Sequence, residues 1–124
     1  MGVEFKMTRE QPEGKPDIMV FHLAGWLDGQ SEKQFVDTIQ KAKDDGAHYV
    51  LLDMRDMDTL TSAGIRAMQR AYQILTPKEE SYKVAHLKLC NAPPQIYQVL
   101  GITGFLVNVP MYENREDAIE SFGK

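Results

Sequence analysis

Apolar and polar residues alternate from Val3 to Thr8, with Val3, Phe5 and Met7 on one side, the period of a short strand. Arg9 to Pro16 is polar and holds Pro12, Gly14 and Pro16, which predicts a turn or loop. Ile18 to Leu23 is almost continuously apolar, as in a strand covered on both faces, and Gly25 is expected to end it. The two strands are close enough in sequence to pair as a hairpin. After Gly29, Ser31 and Gln34 have capping-box spacing. Phe35, Val36, Ile39 and Ala42 then recur at helical intervals among Glu32, Lys33, Asp37, Lys41 and Lys43, up to a stop at Gly46. His48 to Met54 reads as another buried strand. Strand, helix, strand in this order implies a right-handed crossover and parallel pairing.

Arg55 to Thr61 reads as a polar connection, with Asp53 at its mouth and Asp56 and Asp58 within it. Ile65, Met68, Ala71, Tyr72 and Leu75 mark one face of a second helix, stopped by Pro77. Lys83 to Leu89 predicts a strand. Pro93-Pro94 opens a short helix carrying Ile96, Val99 and Leu100, ended by Gly101 or Gly104. Leu106 to Val109 predicts a short edge strand cut off by Pro110. Asn114 is placed to cap a last helix, with Glu116 and Asp117 in its first turn and Ile119 and Phe122 facing inward. The sum is an α/β fold: a mixed sheet of four or five strands with an N-terminal antiparallel hairpin, and helices packed against it.

Composition narrows the function classes. The 124 residues suit one domain, and an apolar fraction of 43% suits a globular one. No apolar run approaches the ~20 residues of a membrane helix. Met1 to Lys6 has neither the basic start nor the apolar run of a secretory signal, so a cytoplasmic location without membrane insertion is expected. Cys90 is the single cysteine, which excludes an internal disulfide and speaks against a thiolate metal site; no general base accompanies it in sequence. A net charge of −4 argues against a general nucleic-acid binder and suits a basic partner surface. His22, His48 and His86 fall on three predicted strands without a carboxylate-histidine pattern, so structural roles are expected of them rather than metal ligation. No nucleophile-base pair, metal spacing or phosphate-binding glycine loop is visible, so neither an enzyme nor a cofactor is expected. Met7, Met19 and Met68 fit core stripes, whereas Met57, in the acidic connection, is expected to be exposed to a partner. Trp26 falls in a turn beside Asp28, either as an aromatic anchor for a partner or as a cover for the end of the sheet.

The informative stretch runs from Leu51 to Ile65: a buried strand, a connection off its carboxyl end, then a helix. Ligands and partners of open α/β sheets usually act at that end. Ser62 falls at or next to the helix cap, the commonest role of serine there. A phosphate on it would add about −1.5 to −2 charges where unpaired backbone N–H groups tolerate an anion. Such a modification should act on a partner rather than unfold the chain, and Asp28, Asp53, Asp56 and Asp58 could crowd acid near the same spot.

Three motifs carry a family resemblance. Leu23-Ala24-Gly25-Trp26-Leu27-Asp28 is similar to an "L-x-G-x-L-D" pattern, Thr61-Ser62-Ala63-Gly64-Ile65 to "D-S-S/A-G-L", and the run from Gln98 to Phe105 to "L-x-x-x-G-L". In order and interval they resemble the STAS family of bacterial anti-sigma-factor antagonists and sulfate-transporter tails, from about Val3 to Phe122. The resemblance implies that Ser62 is a phosphoacceptor and that Asp28 lies close to it. It also implies partners: an anti-sigma factor that is itself a serine kinase, captured by the unmodified form and released on phosphorylation, and a PP2C-type phosphatase that reverses the mark. Transcription would be regulated through the sigma factor set free. Asp28, Met57, Asp58, Thr61, Ala63, Gly64, Ile65 and Arg66 would form or border the partner surface. Thr61 stands where the family commonly has Asp; it brings no carboxylate and offers a second hydroxyl as the alternative acceptor. The same resemblance admits a scaffold or accessory subunit of a stress-signalling or transport assembly. The oligomeric state stays open.

Overall fold

The computed structural model describes residues 4–77 and 85–122. The elements among them are β1 (Lys6–Glu10), β2 (Ile18–Leu27), α1 (Glu32–Asp44), β3 (Tyr49–Leu60), α2 (Ser62–Leu75), β4 (Leu87–Cys90), α3 (Pro94–Ile102), a 3₁₀ turn (Phe105–Val107), β5 (Met111–Tyr112) and α4 (Arg115–Ser121). The strands lie in the order β1-β2-β3-β4-β5. β1 and β2 are antiparallel, as a hairpin should be, and β2, β3, β4 and β5 are parallel.

Alternation along the strands sorts the side chains into two faces. Met19, Phe21, Leu23 and Leu27 of β2 and Val50, Leu52 and Met54 of β3 point into the larger core. That core is closed by Phe35, Ile39 and Ala42 of α1, by Ile65, Met68 and Ala71 of α2, and by Ile96 and Leu100 of α3. Apart from the half-buried Val36, α1 is otherwise polar, so its buried residues, roughly 1.5–3 kcal/mol for each large one, hold it in place. Ile18, Val20, Leu51 and Cys90 face the other way and are covered by Ala118 and Phe122 around the short α4.

Several expectations need correction. Gly25 does not end β2: at φ 88° it continues inside the strand, where the register with β3 shifts. Of the stretch read as a polar connection, Arg55 to Thr61, everything up to Leu60 is strand, and β3 pairs with β2 as far as Leu60. β1 likewise runs on to Glu10, into the stretch expected to be a turn. No edge strand forms at Leu106 to Val109. In a strand Phe105, Val107 and Val109 would share a face, but Phe105 and Val109 are buried while Val107 is 84% exposed, the spacing of a helical turn. The edge strand is Met111–Tyr112 instead. The strand expected at Lys83 to Leu89 lies partly outside the described residues; its described part runs Leu87–Cys90. Ser31 and Gln34 form no capping box, because the Ser31 hydroxyl is turned away from α1 into the preceding turn.

Candidate functional site

The carboxyl ends of β2 and β3 lie side by side, and both turns that leave them are bolted together by backbone groups. Thr61 N–H donates to the Leu27 carbonyl (3.1 Å). Gly64, in the first turn of α2, sits against that same carbonyl. A Cβ there would lie 2.2 Å from Leu27 O and 2.8 Å from Leu60 Cδ1, so no larger residue fits without moving backbone. On the other side, a Cβ on Gly29 would be 3.8 Å from the Ala63 Cβ.

The turn after β2 has its own frame. Asp28 Oδ1 accepts from Gln30 N–H (3.0 Å) and Ser31 N–H (3.2 Å). The Ser31 hydroxyl accepts from Asp28 N–H (3.0 Å) and donates to the Trp26 carbonyl (3.0 Å). Asp28 is thereby held as a turn-former next to the start of α2. Trp26, half-buried, donates from Nε1 to Asp58 (2.8 Å), tying the end of β2 to the end of β3. An open hollow of about 1040 Å³ beside these turns is lined by Met7, Trp26, Asp28, Ser31, Gln34 and Thr61, among others.

The helix cap is Thr61, not Ser62. Thr61 Oγ1 accepts from Gly64 N–H (3.3 Å) and reaches the Leu27 carbonyl as a donor (3.4 Å). Both functions of that hydroxyl are engaged. Ser62 is the first residue of α2 and exposed, and its hydroxyl makes no hydrogen bond among the described residues.

The other residues singled out in the sequence are dispersed. Asp58, Ser62 and Arg66 are exposed and Asp28, Thr61 and Ala63 are half-buried. Gly64 and Ile65 are buried, and so is Met57, at 3% exposure, contrary to the exposed position expected of it. Its stretch is strand and its side chain takes the inward phase. The acids do not form one cluster either. Asp56 pairs with His22 (2.7 Å), Asp58 with Trp26, and Asp53 is fully buried.

Asp53 is the centre of a separate network that sequence reasoning did not find. It accepts from Arg115 Nη2 (2.8 Å) and Nε (3.2 Å), from Asn91 Nδ2 (3.1 Å) and from Arg55 N–H (3.2 Å), and Arg115 also donates to Glu10. Burial pushes the carboxyl upward, but Arg115, the Arg55 amide and Asn91 together hold it below the usual carboxylate range. No local motif announces a pair whose members lie so far apart in the chain. Cys90 is buried beside it, and burial followed by the Asp53 charge pushes its thiol up to about 12, which removes its thiolate at neutral pH. His86 Nδ1 donates to the His48 carbonyl (2.9 Å) and its ring stacks on Tyr49 at 5.2 Å. No helix among the described residues is long and apolar enough to cross a membrane.

Fold and site together define a class: an α/β module that presents a free serine hydroxyl where two strand ends meet a helix. Residues 11–118 match the family model of the STAS domain, and the chain belongs to that family. It is similar to a protein named as a putative anti-sigma factor antagonist, BtrV, of Bordetella bronchiseptica, at 27% identity over 117 residues and 94% of each chain. An anti-sigma factor antagonist from Mycobacterium paratuberculosis superposes with a TM-score of 0.82 at 16% identity, over 98% of this chain and 96% of that one. Phosphorylated SpoIIAA, a Bacillus cell fate determinant, gives a TM-score of 0.67 at 19% identity, over 94% and 98% of the two chains. At these identities the structural likenesses establish the shared fold.

Proposed function

We propose that this protein is an anti-sigma-factor antagonist whose partner binding is switched off by phosphorylation of Ser62. In its unmodified form it captures an anti-sigma factor that is also a serine kinase, and so regulates transcription; a PP2C-type phosphatase restores the binding form. The observation that carries this reading is the division of labour at the head of α2. Thr61 caps the helix, which leaves the adjacent Ser62 hydroxyl exposed and unoccupied. The name of the Bordetella relative, which is similar over 94% of the chain, supports the same partner class.

The transfer is simple to balance. Ser62 Oγ forms a bond to the γ-phosphorus of ATP, the bridging P–O bond to ADP breaks, and the hydroxyl proton passes to the kinase's base. Thr61 is the poorer acceptor, since phosphorylating it would remove the donor to Leu27 O and put bulk on a hydroxyl wedged between two backbone groups. The contact surface consists of Asp58, Ser62, Ala63, Arg66 and the Asp28 turn with its adjoining hollow. Met57, Gly64 and Ile65 support it from beneath.

Peptide mass spectrometry on protein from its native cells, combined with capture of an anti-sigma kinase by unmodified protein, Ser62→Ala and Ser62→Glu, tests the proposal. The expected result is phosphate on Ser62, capture by the first two and loss of capture by Ser62→Glu. Equal capture by all three proteins, or no phosphate under any growth or stress condition, would overturn the switch and leave a constitutive binding subunit.

A further inference from the structure

The outward stripe of α2 is formed by Ser62, Arg66, Gln69, Arg70 and Gln73, all exposed. α2 contains no acidic residue, so it carries two positive charges in a chain whose net charge is −4. Neither arginine forms an ion pair among the described residues, although Arg9, Lys33, Lys41, Arg55 and Arg115 all do. Arg70 borders a shallow hollow with Glu32 and Asp37, but Asp37 is already held by Lys33 at 2.6 Å. Two exposed, unspent guanidinium groups on successive turns suit carboxylates, which they can bind in bidentate fashion.

Ser62 and Arg66 have i,i+4 spacing, which places their side chains together on the helix surface. Resting on the reading of Ser62 as the acceptor, we infer that Arg66 and Arg70 receive an acidic segment of the partner, and that a phosphate on Ser62 disables this surface from within by drawing Arg66 into an intrahelical ion pair. The mark then does two things at once: it adds repulsion for the partner's carboxylates and withdraws the cation they would have used. Phosphoserine N-terminal to arginine is also the orientation favoured by the helix dipole.

The full chain with phosphoserine incorporated at position 62 by codon suppression allows a test without any knowledge of the natural partner. Its phosphate is titrated by ³¹P NMR beside the same protein carrying Arg66→Gln or Arg66→Lys. Asp28, in the turn that Leu27 ties to the head of α2, and Glu32, which lines the hollow beside Arg70, raise the midpoint in all three proteins alike, so the difference isolates the guanidinium. The midpoint should be about 0.4 pH unit lower with Arg66 in place than in the Arg66→Gln protein, and Arg66→Lys should retain part of that lowering. A hexaglutamate peptide, followed by amide NMR at low salt, should perturb residues 62–73 of the unmodified protein. It should bind several-fold more weakly to Arg66→Gln/Arg70→Gln and to the phosphorylated chain. Identical phosphate midpoints, or peptide binding indifferent to both arginines, would overturn the inference, as would a single-stranded oligonucleotide binding the stripe more tightly than the peptide. Absence of phosphate in native cells would instead sink the switch while leaving these results intact.

Discussion

Two adjacent hydroxyls at the head of α2 do different work, and stability measurements separate them. Thr61→Ala removes the cap and should cost about 1 kcal/mol, with Thr61→Ser recovering most of it, whereas Ser62→Ala should leave the unfolding midpoint nearly unchanged. Urea unfolding of the three variants checks this; a larger loss at Ser62 would mean that the hydroxyl is structural after all. Gly64 faces a harder constraint. Gly64→Ala forces a Cβ onto the Leu27 carbonyl and should cost about 3 kcal/mol, read as a thermal midpoint lowered by roughly 10 °C. Cys90 should resist thiol reagents in the folded protein at pH 8 and react only on unfolding, because its thiol is buried and titrates far above that pH.

At the scale of elements, the Asp53 network decides how α4 attaches to the sheet. Arg115 is the first residue of α4, and its pair with Asp53 spans from that helix to the middle of β3. Asp53→Ala would leave the guanidinium without its buried partner and should cost about 3 kcal/mol, with α4 amides losing hydrogen-exchange protection first. The pair also predicts a pH dependence. Because the folded-state pKa of Asp53 is lowered, its contribution is complete above the unfolded value of about 3.9 and is lost as pH falls through the lower folded value. Stability profiles of wild type and Asp53→Asn between pH 6 and 2 should therefore converge at the acid end. Parallel profiles would place the stabilisation elsewhere. The long β2–β3 pairing is the other element-scale finding. Between His22 and Ala24, and again between Gly25 and Trp26, β3 gains a residue over β2. Such bulges let Asp56 and Asp58 stay exposed while Met57 is buried between them.

Among the described residues, α1, α2 and α3 cover one sheet face and the short α4 covers the other. The candidate surface lies at one end, on turns braced by the larger core, so a charge added there has little reason to disturb the fold. Ser62→Glu should keep an unfolding midpoint within a few degrees of wild type and still lose its partner; a collapse in stability would show that the residue acts through folding rather than recognition. The negative net charge and the basic stripe of α2 are compatible because α2 carries two arginines and no acid, while acids outnumber cations over the rest of the chain.

The helices, the first three strands and the STAS motifs were legible in the sequence because each rests on a local period or a glycine in a tight place. Phe35, Ile39 and Ala42 announce α1 whatever surrounds them, and Asn114 caps α4 as its position suggests. What failed was whatever depends on a distant neighbour. Arg55 to Leu60 looks like a loop because one face of that strand end is exposed and bulges interrupt its alternation; pairing with β2 makes it strand. Ser31 has the spacing of a cap, yet Trp26 and Asp28 claim its hydroxyl. Local sequence determined where Ser62 would stand, at the threshold of a helix. The Leu27 carbonyl, which holds Thr61 by its amide and fits only a glycine at position 64, belongs to another strand, and that packing decided which of two neighbouring hydroxyls is free.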